Sequence, residues 1–372
     1  MPNFGIYVHI PFCQKKCKYC DFISFDKCDE TIKEKYVQAI LQEIEECQIQ
    51  KKVSTIYIGG GTPSILHTES IQLIVEKIQQ NFIIEKDAEI TIEINPGTAN
   101  REKLEKYKKM GINRLSIGVQ STQNRLLEIL GRIHQFEDFE EVYKKARDVG
   151  FDNINVDLML GLPTQSLEEL EESLKKIIAL ELEHISVYSL ILEEGTELER
   201  LVSENKLEMI SEDLEREMYW QTKKILEKNG YCHYEISNFA KKGFESKHNL
   251  ACWEQEEYIG FGLAAHSYVD KKRFSNVDHL EEYIENGNKN KIVHEKQTFE
   301  KQAKEYMMLG LRKLDGVSIS KFEQKFQVHP LFYFRFEISK LEEESLLEVD
   351  LDKVRLTKKG LDFANLVFEE FV

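Results

Sequence analysis

Three cysteines within eight residues constrain this chain more than any other feature. Residues 5–22 read GIYVHIPFCQKKCKYCDF, which puts Cys13, Cys17 and Cys20 in a C-x3-C-x2-C run. A spacing this tight lets one loop wrap a cubic iron–sulfur cluster, with thiolates on three corners. A [4Fe–4S] cluster normally takes four cysteines, yet position 22, two beyond the third, is Phe22. Three ligands leave one iron open to a small molecule, so the run implies a reagent as well as a cluster. A zinc site with His9 as fourth ligand is the alternative. Structural zinc sites usually draw two ligand pairs from well-separated positions, and Cys28, Cys47, Cys232 and Cys252 form no second C-x2-C pair. Disulfides are disfavoured. The start, MPNFGIYVHIPF, lacks the charged n-region and small-residue cleavage site of a secretory signal, and the cysteines number seven, an odd count.

Charge narrows the partners. The net charge is −16, from 66 acidic and 50 basic residues. That opposes binding to a nucleic-acid backbone, which needs a basic face. The acidic residues recur on helical stretches such as SLEELEESLKK and read as solvated faces. Apolar runs such as SVYSLIL are far shorter than a transmembrane segment. A cytoplasmic protein is expected, in a compartment that keeps thiolates reduced. With 372 residues and 41% hydrophobic content, the chain can build one large domain and a smaller one.

A strand-then-helix rhythm fills the first two-thirds. Apolar, β-branched runs recur at 6–10, 55–59, 88–94, 113–119, 153–160 and 184–190. Helical periodicity separates them, as in SIQLIVEKIQQ and FEEVYKKARDVG, and Gly111 and Gly150 stand where helices would end. Alternation of this kind predicts an α/β fold with parallel strands and crossover helices, and six units suit a partial (β/α)6 barrel. Residues 1–240 are assigned to it. Residues 241–300, richer in aromatic, His and Gly positions, read as a connecting region. Residues 301–372 read as a smaller winged-helix-like α+β domain, with strands at SLLEVD and KVRLT and a last helix.

Ligands in such folds gather at the carboxyl ends of the strands, and polar residues collect there. The cysteine loop follows strand one and Gly59–Pro63 follow strand two; Glu93 closes strand three, Gln120 and Ser121 follow strand four, and Asp157 lies in strand five. Glycine lets a backbone approach a ligand closely, though Gly59–Gly61 also suit a plain tight turn. No Gly-Lys-Ser/Thr follows, so this is not a P-loop. A carboxylate inside a barrel is costly unless paired. An unliganded polar network at the barrel mouth is the alternative reading of Glu93 and Asp157.

These motifs resemble one family. YVHIPFCQKKCKYCDF, IGGGTPS, IEINPG, RLSIGVQS and NVDLMLGLP, with the C-terminal segment, are similar to radical S-adenosylmethionine proteins of the oxygen-independent coproporphyrinogen III oxidase family. Within it the chain is most similar to the HemW branch, described as heme chaperones. The true oxidase carries a further cysteine where this chain has Phe22, and a longer segment ahead of the cluster. The resemblance implies a radical SAM barrel with a [4Fe–4S] cluster on Cys13, Cys17 and Cys20, and S-adenosyl-L-methionine against Tyr7, Tyr19, Gly60, Gly61, Thr62, Glu93, Gln120, Arg132 and Asp157. Plain aromatic packing is the alternative for Tyr7 and Tyr19, and an exposed helical position for Arg132.

The branch also implies heme, placed on the 241–300 side. Its HN-x-x-YW motif reads HNLACW here, with Cys252 in the tyrosine position, and His248 and Cys252 are the candidate iron ligands. A capping histidine and a small apolar cysteine are the alternatives; His266 is a weaker candidate. The implied partners are heme, an unidentified heme-acceptor protein and an electron donor such as a flavodoxin or ferredoxin; a homodimer is allowed. Three functions follow: transfer of heme to the acceptor, radical decarboxylation of coproporphyrinogen propionates, or a cluster-bearing structural or regulatory protein that never cleaves its ligand.

Overall fold

The β-branched runs form strands at the positions their spacing predicts. The computed structural model describes residues 4–372. Strands β1 (Phe4–Ile10), β2 (Lys52–Gly60), β3 (Ile83–Ile94), β4 (Arg114–Gln120), β5 (Ile154–Leu160) and β6 (His184–Ser189) pair in that order, all parallel. Helices α1 (Glu30–Glu46), α2 (Thr68–Asn81), α3 (Arg101–Lys109), α4 (Asn124–Ile129), α5 (Phe136–Val149) and α6 (Leu167–Ile178) connect them. The caps are local. Ser166 and Glu169 form a capping box on α6, and Gly111 and Gly150 take left-handed conformations beyond α3 and α5. β3 starts ahead of the AEITIEI run, because Ile83 and Ile84 pair with Lys52 and Val53 before a register shift. That pairing is tertiary and leaves no mark in periodicity.

Alternation sorts the two faces of these strands. Phe4, Ile6, Val8, Ile10, Ile56, Ile58 and Ile92 pack in the main core with Tyr36, Ile40 and Ile44 of α1. The other face is polar and buried: Thr55, Glu89, Thr91, Arg114, Ser116, Asn155, His184 and Ser186. A barrel interior furnished like this is built to meet polar partners, since each unpaired group there carries a desolvation cost.

Beyond β6 come α7 (Glu197–Ser203), α8 (Glu212–Lys228), and the hairpin β7 (Cys232–Glu235) and β8 (Asn238–Ala240), which extends the β6 edge antiparallel. Then α9 (Lys247–Trp253) leads to β9 (Glu257–Phe261), which joins the opposite edge, parallel to β1. β10 (His266–Val269), β11 (Lys272–Ser275) and β12 (Ile292–Lys296) complete a twelve-stranded sheet among the described residues. The segment read as a connector therefore supplies four strands to the main sheet.

One buried carboxylate locks that segment to α1. Glu43, 1% exposed, accepts hydrogen bonds from Gly262 N (3.0 Å), Asn276 Nδ2 (2.9 Å) and Tyr283 Oη (2.7 Å). Tyr36 Oη donates to His9 O (2.7 Å) and accepts from Leu263 N (2.8 Å), tying the same turn to β1.

A second core spans Ala303 to Phe371 around β13 (Val317–Ser318), β14 (Leu347–Val349) and β15 (Lys353–Leu356), in the antiparallel order β13-β15-β14. The expected last helix is two, Lys358–Asp362 and Ala364–Glu369, divided at Phe363 with φ −121° and ψ 33°. Among the described residues, no helix is long and apolar enough to cross a membrane.

Candidate functional site

The cysteine loop is held from several sides. Cys13 N donates to Phe25 O (2.9 Å) and Phe25 N to Pro11 O (2.7 Å), closing the loop on itself. Lys18 N bonds Leu130 O beyond α4 (3.0 Å), and Leu198 N of α7 bonds Lys18 O (2.8 Å). The glycine loop after β2 clasps its other side, through Gly61 N to Ile10 O and Thr62 N to Phe12 O, both 2.8 Å. Glycine is required here: a Cβ on Gly61 would stand 2.8 Å from Phe12 O and 3.0 Å from Cys13 Sγ.

Above the strand ends lies a cavity of about 410 Å³. Cys13, Cys17, Tyr19, Cys20, Gly60, Gly61, Thr62, Glu93, Gln120, Arg132 and Asp157 all line it. Tyr7 does not; it lies below, its ring stacked on Tyr57 at 6.3 Å and its Oη 2.9 Å from His9 Nδ1. Gln120 stands at a register shift between β4 and β5 with φ +68°, a backbone region that a non-glycine residue rarely occupies.

Asn95, expected at the carboxyl end of strand three, also lines the cavity, as do Tyr57, Ser116, Met159 and Tyr188, which sequence reasoning missed. A period-2 reading would have found Tyr57 and Ser116, each two residues before a cavity-lining or glycine-loop position on its strand. Lys15, Lys16 and Phe22 form part of the wall from the cysteine loop.

Arg132 organises one wall. Its Nη2 donates to Asn95 Oδ1 (2.7 Å) and Gly118 O (2.5 Å), its Nη1 to Cys17 Sγ (3.4 Å), and its buried Nε has no partner. Glu93, two residues before Asn95, also lines the cavity, accepting from Tyr57 Oη (2.8 Å) and Gly60 N (3.0 Å). Burial raises the Glu93 carboxyl to about 7, and Asp157 nearby pushes the same way against the hydrogen bond from Tyr57. Asp157 is also raised by burial, opposed by Asn155, whose Nδ2 donates to it at 2.8 Å. Beneath them Arg114 is 2% exposed, its Nε unpartnered, and its charge favours the ionised form of both carboxylates.

The donor set fits a cluster with a sulfonium ligand. Burial holds the Cys13 and Cys20 thiols above their usual range, a state that iron would reverse. The glycine loop leaves room beside Cys13. Two carboxylates suit a cation, and the orphaned Arg132 Nε suits a carboxylate.

The HNLACW segment is helical, as the spacing of His248 and Cys252 requires, but α9 packs at the opposite end of the barrel. Its Lys247 and His248 N–H groups both donate to Glu89 (3.1 Å each). His248 is buried, with Nδ1 2.9 Å from Thr55 Oγ1 and its ring stacked on Tyr57 at 5.2 Å. Burial lowers its pKa to about 4 and raises the Cys252 thiol to about 11. Neither residue lines the cavity. His266 is exposed on β10, its ring stacked on His294 at 5.1 Å.

Comparison with known proteins bears on this geometry. Residues 7–177 match the radical SAM superfamily and residues 298–363 the HemN C-terminal domain. The heme chaperone HemW of Lactococcus lactis subsp. lactis (strain IL1403) is 37% identical over 372 residues, covering 100% of this chain and 97% of that protein. The heme chaperone HemW of Bacillus subtilis (strain 168) is 40% identical over 374 residues, covering 98% of each. In fold, the structure is similar to coproporphyrinogen III oxidase (HemN) from Escherichia coli, with a TM-score of 0.86 and 24% identity over 100% of this chain and 90% of that one.

Proposed function

This chain belongs to the HemW family of radical S-adenosylmethionine proteins, and on that footing we propose that it binds heme and passes it to an acceptor protein. The observation that carries the reading is full-length identity of 37% and 40% to two proteins described as heme chaperones. Phe22, where the oxidase has a further cysteine, supports it.

Cys13, Cys17 and Cys20 would hold the [4Fe–4S] cluster. Gly60, Gly61, Thr62, Glu93, Gln120, Arg132 and Asp157 would hold S-adenosylmethionine, with Tyr19 beside it and Tyr7 below. When bound, these groups supply one-electron cleavage of a carbon–sulfur bond. The chain's own part is to bind and orient. Arg132 positions a carboxylate beside Cys17, and Glu93 with Asp157 provides negative charge for a cationic centre.

Heme ligation is proposed for His248 and Cys252. A ring packed between Thr55 and Tyr57 meets iron only if α9 lifts from the barrel end. An electron donor such as a flavodoxin or ferredoxin would supply the cluster, and a cytoplasmic setting would keep its thiolates reduced. Of the expected divisions, the one at residue 300 is proposed on the same terms, since residues 241–300 share the main sheet and core while a second core begins at Ala303; limited proteolysis that cuts first elsewhere would count against it.

The test is anaerobic reconstitution followed by two assays. Heme titration should give saturable binding that weakens in H248A. Incubation with coproporphyrinogen, S-adenosylmethionine and an electron source should give no vinyl product. Turnover would overturn the chaperone reading, as would absence of heme binding. In C17A the brown chromophore should be lost; a retained cluster would mean another ligand set.

A further inference from the structure

We propose that Lys103 is a positioning residue for the S-adenosylmethionine pocket, an inference that rests on the cofactor assignment above. Lys103 lies in the first turn of α3, outside the cavity, and no motif contains it. Its ammonium donates to three backbone carbonyls, Ser64 O at 2.7 Å, Leu66 O at 3.2 Å and Thr98 O at 3.2 Å. An ammonium has three donors, and all three are spent on two loops. One is the glycine loop after β2, whose 3-10 turn Pro63–Ile65 leaves carbonyls unpaired. The other is the loop after β3 that carries Asn95.

The same two loops are cross-linked by side chains. Ser64 Oγ lies 2.5 Å from Thr98 Oγ1 and accepts from Asn95 N at 3.3 Å, while Thr98 Oγ1 donates to Asn95 O at 2.6 Å. Asn95 in turn fixes Arg132, which reaches Cys17. The brace therefore ties the glycine loop to the residue that holds the guanidinium, and both line the cavity. Burial costs this lysine some of its proton affinity. A side chain that gives up solvation to bind carbonyls alone is holding backbone in place rather than pairing with a surface acid.

Removing the brace should shift the pocket without emptying the cluster. Reconstituted K103M is expected to keep wild-type iron and sulfide content but bind S-adenosylmethionine about tenfold or more weakly, since sub-ångström misplacement is costly in oriented sites. The change in the reduced cluster's paramagnetic spectrum on adding S-adenosylmethionine should be diminished. K103R should recover most of the affinity. K106M, one turn further along α3, should match wild type. T98V removes the hydroxyl cross-link and keeps side-chain volume, so it serves if K103M does not fold; about a threefold loss is expected, on the order of one hydrogen bond. Wild-type affinity in K103M, or in T98V, would overturn the inference. So would parallel loss of cluster and ligand in both K103M and K103R, the mark of general destabilisation. Wild-type protein that takes up the cluster but not S-adenosylmethionine would overturn the cofactor assignment, and the inference with it.

Discussion

Glu93 shows how one carboxylate can serve a cation and still sit inside a barrel. Its carboxyl titrates at about 7 because burial disfavours charge, while Tyr57 and Gly60 partly offset that cost. A cationic ligand favours the ionised form, so binding must expel the proton that Glu93 carries at lower pH. Affinity for S-adenosylmethionine is therefore expected to rise from pH 6 to pH 8, and the rise should vanish in E93Q; calorimetric titration across that range checks it. Glu93 and Asp157 were legible in the sequence because a carboxylate near the end of an apolar strand, or within one, breaks the pattern around it. Lys103 and Arg114 were not. A lysine in the first turn of a helix reads as surface, and nothing local says that its ammonium meets three carbonyls. Arg114 opens a strand, where arginine also reads as exposed, yet it is among the largest fully buried side chains.

Among the elements, α1 does more than cover strands. Its Glu43 gathers donors from Gly262, Asn276 and Tyr283, which lie far away in sequence. E43A would leave Gly262 N and Tyr283 Oη buried without this acceptor, Asn276 keeping its bond to Gly262 O, and a loss of about 2–4 kcal/mol is expected from the unsatisfied donors. The fall in urea midpoint measures it; a change under 1 kcal/mol, the scale of an exposed pair, would refute the role. The parallel strands and their helices were legible because each carries its own periodicity. Strands β9 to β12 were not. Segments such as KRFS and IVHEK are short and polar, and become strands only by pairing with each other and with the strand before them. The place of α9 was hidden for the same reason: its helical spacing could be read, but not that Glu89 awaits its first turn.

Over the whole molecule, buried histidines set the acid limit. His134 titrates at about 3, His233 and His248 at about 4, and His184 lies well below the ordinary value, each chiefly through burial. Their folded pKa values lie below the unfolded 6.5, so they are neutral in the fold and take up protons on unfolding. The histidine contribution is undiminished above pH 6.5 and falls as pH drops from there toward 4, whereas Glu93, raised to about 7, works in the opposite sense and adds stability as pH falls below 7. Each tenfold difference in proton affinity is worth about 1.4 kcal/mol. Because four histidines outweigh the single carboxyl raised that far, unfolding free energy should be lower at pH 5 than at pH 7, and H233Q, which removes one such group, should narrow the gap. A flat profile would contradict the assignment.

The seam between β1 and β9 has a bearing on how the chain is made. β1 is made well before β9, and its outer edge finds that partner only after the five other parallel strands and their helices have followed. Until then the strand that leads into the cysteine loop presents a bare ladder of amide and carbonyl groups, the sort of edge that recruits stray chains. Chains truncated ahead of Glu257 should be insoluble. Metal loading, which needs a settled first strand, belongs after β9 has docked on β1.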